Sequence, residues 1–335
     1  MKNSKITVLF CFHDGNKNNG GNRSLIDVID NLLEKKNIEI LAAFPVKEGS
    51  AIEYLKSKNV YIVPFCYGRW DYHMEDYTPK NLYMILKTLK SFAYTYDFLY
   101  RIDSVINEFH INLIYTNTMV LPIGMLIKKK YGIPMIWHIR EFGYEDHKLG
   151  IIGGVNRLYR GMNTYSDKII MISKSLFDKY SKYVNPEKMQ VIYDDISPEF
   201  IINQHQILQP NTKCNILIAG TIKPGKGQKE AIQVIQKIIK KGNRNVHLYI
   251  AGEKRGEYYK EILKYVQRYK LEENIHFLGY VTDMNSLRRQ MDIALVASCS
   301  EAFGRVTVEA MLAGMLVIGA DVAGTSELIC DGVNG

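Results

Sequence analysis

Residues 298–314, reading SCSEAFGRVTVEAMLAG, hold the spacing in this chain that most suggests chemistry. Glu301 follows an apolar run at Ile293–Ala297, Gly304 allows close backbone approach, and Glu309 falls among Val306, Val308 and Met311 of a helical pattern. A helix opening at such a glycine turns its first amide groups outward, where they and the helix dipole favour an anion. A carboxylate set among apolar neighbours costs free energy unless it accepts hydrogen bonds, and ribose hydroxyls are natural donors to it. An ordinary helix with surface glutamates is the plain alternative.

Two further loops carry the same kind of promise. Gly220-Thr221-Ile222-Lys223-Pro224-Gly225-Lys226-Gly227 lies between a strand and a helix, and Lys226 beside glycines at a helix start is placed to neutralise a diphosphate. Gln228 follows Gly227, so the segment is no Walker loop, and a simple basic turn would look the same. Asn18-Asn19-Gly20-Gly21-Asn22 follows the first strand and opens a helix, where paired glycines admit an anion or a sugar close to the backbone. Taken alone it reads equally as a flexible turn. His138 and Arg140, in Trp137-His138-Ile139-Arg140-Glu141, close another strand and offer a base and a cation, although a lone histidine there also fits a satisfied buried imidazole. His13, just before the glycine pair, has the same two readings.

The elements that must position these groups alternate along the chain. Apolar runs at 6–12, 38–43, 60–64, 113–116, 135–139, 168–172 and 190–192 alternate with helical patterns at 21–36, 51–58, 80–109, 122–131, 155–166 and 174–183. Nearly all-apolar strands between amphipathic helices predict a parallel sheet covered on both faces. The polar, proline-bearing stretch 196–213 reads as a linker, after which strands at 215–219, 246–251, 275–278, 293–297 and 316–319 restart the pattern. The expected architecture is α/β, with two facing, doubly wound Rossmann-like domains, 1–195 and 214–335, and a cleft between them. Ligands of open α/β sheets bind beyond the carboxyl ends of the strands, so the strand-to-helix loops are the candidate sites. Asp331-Gly332-Val333-Asn334-Gly335 reads as a turn between elements, so the second sheet is expected to be truncated at its C-terminal end.

Composition narrows the class. With 335 residues, 47% hydrophobic and 23% charged, the chain reads as an ordinary globular protein of two domains. The opening Met1–Phe12 shows neither a signal peptide nor a membrane span, which predicts a cytoplasmic location. Five scattered cysteines contain no C-x-x-C pair and offer no metal framework. The net charge of +8 divides as 26 basic against 21 acidic residues in 1–195 and 17 against 14 in 196–335. That spread argues against a nucleic-acid patch and suits anionic ligands, an anionic membrane surface, or simply a lysine-rich solvated one. Lys80–Arg101, rich in Tyr, Leu and Lys, either packs on the sheet or presents an apolar face with a basic rim to the inner face of a membrane.

Glu301 and Glu309, with seven residues between, resemble the E-x7-E signature of retaining GT-B glycosyltransferases, and family 4 in particular. Gly20-Gly21 resembles that family's N-terminal glycine loop, and Ile172-Ser173-Lys174-Ser175 its I-S-x-S segment. Phe277-Leu278-Gly279-Tyr280 resembles its loop near the nucleotide base, and Ala323-Gly324-Thr325-Ser326-Glu327 its G-G-x-x-E turn. The resemblance spans nearly the whole chain, in order. It implies Glu309 on the donor ribose, Lys226 on the diphosphate beside Gly220, and Glu301 with Phe303 and Gly304 on the donor sugar. Amides near Arg305 and Val306 would cap the phosphates, and Gly20 and Gly21 would line the cleft near donor phosphate or acceptor. His138 would stand by the donor sugar and phosphate, with Arg140 supplying positive charge.

Departures from the family pattern are Thr221 where arginine is usual, Met315 where proline is common, and Tyr193-Asp194-Asp195 in place of Y-N-G. The family's C-terminal segment that crosses back onto the first domain has no counterpart here. The resemblance implies hexosyl transfer with retention, from a UDP- or GDP-sugar to a glycan or polyprenyl-linked acceptor in surface polysaccharide synthesis. No D-x-D carboxylates stand in a suitable loop, so metal-independent transfer is expected, with no cofactor and no nucleic-acid partner. A nucleotide-sugar epimerase on the same plan and a non-catalytic nucleotide-sugar-binding subunit are the competing readings. A dinucleotide oxidoreductase is disfavoured, because no G-x-G-x-x-G follows either first strand.

Overall fold

The computed structural model describes residues 5–74, 82–202 and 213–335. Two compact units share the chain, Met1–Asp195 and Ile196–Gly335. The first runs β1 (Ile6–Cys11), α1 (Gly20–Leu33), β2 (Ile38–Ala43), α2 (Ser50–Ser57), β3 (Tyr61–Ile62), β4 (Asp71–His73), α3 (Leu82–Phe109), β5 (Leu113–Asn117) and α4 (Ile123–Tyr131). It continues with β6 (Met135–Ile139), α5 (Tyr144–His147), β7 (Leu149–Ile151), α6 (Val155–Tyr165), β8 (Lys168–Met171), α7 (Lys174–Tyr180) and β9 (Met189–Val191).

Seven of these strands form one parallel sheet in the order β3-β2-β1-β5-β6-β8-β9. The chain moves outward from β1 to β3 and then resumes on the other side of β1 at β5, so β1 and β5 flank the switch point where an open α/β sheet leaves a crevice. Val8, Phe10 and Phe12 of the β1 strand and its exit pack on Leu25, Ile26 and Ile29 of α1, one apolar face of that helix. The sequence reading missed an antiparallel pair, β4 with β7, in which Asp71 faces Ile151. Those strands are three residues each, too short for an alternation to register. The long helical pattern expected from Lys80 starts in the structure at Leu82; positions 75–81 lie outside the described residues.

The second unit contains β10 (Cys214–Ala219), α8 (Gln228–Lys240), β11 (Val246–Ala251), α9 (Gly256–Arg268), β12 (Ile275–Gly279), α10 (Met284–Arg288), β13 (Ile293–Val296), α11 (Arg305–Leu312), β14 (Leu316–Gly319) and α12 (Ala323–Leu328). Its sheet is again parallel, in the order β12-β11-β10-β13-β14, with the switch point between β10 and β13. Ile232 and Ile235 of α8 and Ile262 and Val266 of α9 cover one face, while Ala310 of α11 and Met291 cover the other. Ile196–Ile202, read from sequence as the start of a linker, packs with this unit: Ile202 joins the α11 core and its amide donates to the Leu312 carbonyl at 3.2 Å. The rest of the expected linker, 203–212, lies outside the described residues.

Candidate functional site

The loops leaving β10 and β13 meet at the switch point of the second sheet. Cys299 N–H donates to the Gly225 carbonyl at 2.8 Å, which joins the two loops backbone to backbone. Gly227 has φ +78°, and a Cβ placed there would lie 2.4 Å from the Ala297 carbonyl oxygen, so the approach admits no side chain. Across this seam Lys226 Nζ donates to Glu301 Oε1 at 2.5 Å. Both side chains are mostly, not wholly, withdrawn from solvent. The lysine and the first glutamate of the sequence motif are therefore one ion pair, and an anion reaching Lys226 must share it with Glu301.

Gly304 caps α11 in the left-handed region, φ +96°, and the helix opens with the amides of Arg305 and Val306. Phe303 is buried beneath the loop, and Gly324 of α12 lies under it: Gly324 N–H donates to the Glu301 carbonyl at 2.8 Å. A Cβ at Gly324 would meet the carbonyl oxygens of Phe303 and Glu301 at 2.7 and 2.8 Å. The alanine-glycine turn is thus the floor that holds the Glu301 loop in shape. Lys226, Arg288, Ser298 and Val306 line one pocket at this switch point.

Glu309 is buried on α11, as its apolar neighbours require, and its Oε2 accepts from Arg288 at the end of α10. Arg288 is also buried, with its guanidinium 5.1 Å from the centre of the Phe200 ring. Sequence reasoning passed over Arg288 because Leu287-Arg288-Arg289 looks like an ordinary charged helix end; only the fold reveals that one of the two arginines turns inward. Gly220, φ +133°, has open space where a Cβ would stand. Thr221, in the usual arginine position, is exposed and its carbonyl accepts from buried Gln228.

The first unit gathers a second cluster at its own switch point. Asn19 caps α1, its side chain accepting from Gly21 N–H. Gly20 is exposed, whereas a Cβ on Gly21 would lie 3.2 Å from His13 Cε1 and 3.5 Å from Arg140 Cδ. Arg140 is fully engaged: Nη1 with Asp194 Oδ1 at 2.5 Å, Nε with Asn117 Oδ1 at 2.6 Å, and Nη2 with His138 Nδ1 at 3.2 Å. Asp194 also accepts from Ser24 Oγ at 2.8 Å. Arg140, expected to supply positive charge, is paired in the structure with Asp194, one of the residues that depart from the family pattern.

His138 stands next to last in β6, whose bounds are those expected, and is buried, with Tyr115 Oη 2.5 Å from Nδ1. Burial, and then the charge of Arg140, push its pKa well below the ordinary histidine value. Its Nε2 and the Nδ1 of His13 are both buried and make no hydrogen bond among the described residues. His13 is lowered to about 4, first by burial and then by Arg69 and Arg140, against the opposing pull of Asp14 and Asp71. Both imidazoles are therefore neutral at physiological pH. Glu141, also buried, accepts the amides of Met119 and Arg140 and is raised to about 7 by burial.

Among the described residues no cluster of three or more His, Cys, Asp or Glu side chains converges as a metal site, and no helix is long and apolar enough to cross a membrane.

Comparison with known proteins adds a family to this geometry. Residues 200–335 match the family model for glycosyl transferases group 1. An uncharacterized glycosyltransferase, MJ1607, of Methanocaldococcus jannaschii is 33% identical over 189 residues, covering 52% of this chain and 47% of that protein. The O-antigen biosynthesis glycosyltransferase WclY of Escherichia coli is 27% identical over 188 residues, 53% of this chain and 49% of its own. The chain thus spans about half the length of the curated relatives it matches. The crystal structure of Anabaena Alr3699/HepE in complex with UDP and glucose superposes with a TM-score of 0.71 at 20% identity, covering 98% of this chain and 84% of that one. The chain has the GT-B fold, built from two Rossmann-like units, and the match to the group 1 model lies in its second unit.

Proposed function

We propose that the protein is a retaining, metal-independent hexosyltransferase that takes its sugar from a UDP- or GDP-sugar and passes it to a glycan or polyprenyl-linked acceptor, in surface polysaccharide synthesis at the inner face of a membrane. The observation that carries the reading is the meeting of Lys226 and Glu301 across the β10 and β13 loops, beside the opening of α11. A lysine, outward amides and a carboxylate in one crevice match the needs of a nucleoside diphosphate leaving a sugar. Lys226 and the amides of Arg305 and Val306 would take the negative charge that develops on the phosphates. Glu301, released from Lys226 by the incoming phosphates, would turn to the sugar hydroxyls, and Glu309 would accept from the ribose while still held by Arg288.

His13 and His138 of the first unit, neutral and each with one nitrogen unpartnered, would then serve hydroxyl groups of the reacting sugars. Arg140, held by Asp194, would fix His138 and not act as a free cation. The HepE structure, which holds UDP and glucose, and the WclY name support a nucleotide-sugar donor and a glycan product. Radiolabelled transfer from a panel of UDP- and GDP-sugars, with EDTA present, is the test. Lys226→Ala should raise donor KM or lower kcat by about tenfold to a thousandfold, the usual scale for one charged contact. Normal transfer by that variant, or no response to any donor, would overturn the assignment; loss of transfer in EDTA would overturn metal independence alone.

A further inference from the structure

Helix α3 spans 28 residues, and it buries only one side. Thr95, Phe98, Ile102 and Val105 are all 3% exposed or less. Phe98 packs edge-on against Phe65 and Tyr67, and Thr95 Oγ1 accepts from Gly68 N–H at 2.9 Å. The opposite side shows a second apolar row. Leu86 is 56% exposed, Leu89 59%, Tyr96 64% and Tyr100 80%, with exposed Ala93 between them. Spacings of three and four residues put these five on one stripe, and at about 100° per residue that stripe is centred opposite the buried one.

Exposed apolar residues scattered singly need no explanation, but a continuous stripe about four turns long does. Its character separates the candidate occupants. Two leucines stand at one end and two tyrosines at the other, and tyrosine suits a boundary that is apolar beneath and wet above. Lys90 is exposed along one flank, 5.8 Å from the ring of Tyr94, itself half-exposed. Asp97, the acid nearest the stripe, is neutralised by Arg101 at 3.0 Å. An apolar row with a basic rim, on a chain of net charge +8, is complementary to an anionic lipid surface. A second copy of this helix would instead bring like-charged lysines toward one another.

We propose that the Leu86–Tyr100 face of α3 docks on anionic phospholipid, with the leucines entering the acyl boundary and Lys90 at the headgroups. This deepens the membrane contact of the proposed function and rests on that reading for its purpose, which is to bring the first unit to a lipid-linked acceptor. Co-sedimentation of the full chain with vesicles of phosphatidylcholine, with or without phosphatidylglycerol, tests it. The chain should bind the anionic vesicles at least about tenfold better, and high salt should remove the preference. Combined Leu86→Gln, Leu89→Gln, Tyr96→Ser and Tyr100→Ser should lower binding by about tenfold or more. Lys90→Gln should lower the anionic preference by about fivefold, and Lys87→Gln, on the side turned away from the stripe, should leave it unchanged.

All six positions are exposed, and unchanged far-UV circular dichroism would verify that the variants fold. Equal vesicle binding by the four-residue variant overturns the proposal, as does a wild-type chain that ignores both vesicle types. Concentration-dependent dimerisation in light scattering, lost in the same variant, would assign the face to a second copy and overturn it too. A donor thermal shift in the same samples separates the two readings. Vesicle binding without donor response sinks the transferase reading alone, and donor response without vesicle binding sinks the docking alone.

Discussion

Glu309 has a structural part that can be measured apart from its proposed role at the donor. Its ion pair with Arg288 is buried on both sides, so removing the carboxylate takes the acidic partner from a guanidinium buried in the second unit. Glu309→Ala is expected to cost about 3 kcal/mol of stability, the scale for breaking a buried pair from one side, whereas Glu309→Gln keeps an acceptor for Arg288 and should cost less than half as much. Urea denaturation of the two variants would measure this; equal losses would mean that the charge pair does not hold α11 to α10. Donor binding is therefore better tested with glutamine than with alanine, which confounds a lost ribose contact with a loosened helix.

The first unit makes its residue-scale prediction through pH. His13 is held near 4 when folded and returns to the ordinary value of 6.5 when unfolded. Below 6.5 the unfolded chain gains a proton that the folded one refuses, so this stabilisation is complete above pH 6.5 and falls away toward pH 4. The loss should reach about 2 kcal/mol by pH 5. His138 acts in the same sense, while Glu141, raised to about 7, acts oppositely, favouring the folded state below 4.5 and losing that advantage as pH rises toward 7. His13→Gln should therefore flatten the acid limb of the stability curve between pH 6.5 and 5. An unchanged limb would show that neutral burial of His13 is not its cause.

At the scale of elements, the seam between the β10 and β13 loops is packed too closely to admit a side chain. Gly227→Ala must push a methyl group against the Ala297 carbonyl and adopt φ +78°, and it is expected to destabilise by about 2–3 kcal/mol and to part Lys226 from Glu301. Gly220→Ala also forces a positive φ, but nothing crowds its Cβ, so the smaller loss measures backbone strain alone. Thermal melts of the pair separate crowding from strain.

These loops also show what the sequence could convey. Apolar strands and glycine turns made both parallel sheets legible, because buried parallel strands are apolar throughout. Lys226, Glu301 and Glu309 were legible because each interrupts an apolar or glycine-rich context. The partners were not. Asp194 lies far along the chain from Arg140, and Arg288 is one of two adjacent arginines, so which carboxylate meets which cation depends on sheet order and helix rotation. The β4–β7 pair escaped for the opposite reason, being too short to have a period.

Over the whole molecule, each unit has its own sheet, its own switch point and its own apolar core. A nucleotide that binds only the folded second unit must stabilise that unit by mass action, by about 2.7 kcal/mol at a hundredfold excess over Kd. Hydrogen exchange with and without UDP or GDP should therefore show added protection at 220–227 and 298–309, with the α2 and β3 amides unchanged. Uniform protection of both units, or none anywhere, would contradict the placement of the donor at Lys226 and α11.

The carbonyl of Ala297 pressed against Gly227 has a practical corollary for anyone re-tailoring the protein. Segments 220–227 and 297–304 cannot be exchanged one at a time with those of a relative, because each is the mould in which the other was cast. Chimeras that transplant both strips together should keep their shape, and those that transplant one should lose it, whichever donor the grafted strip once served.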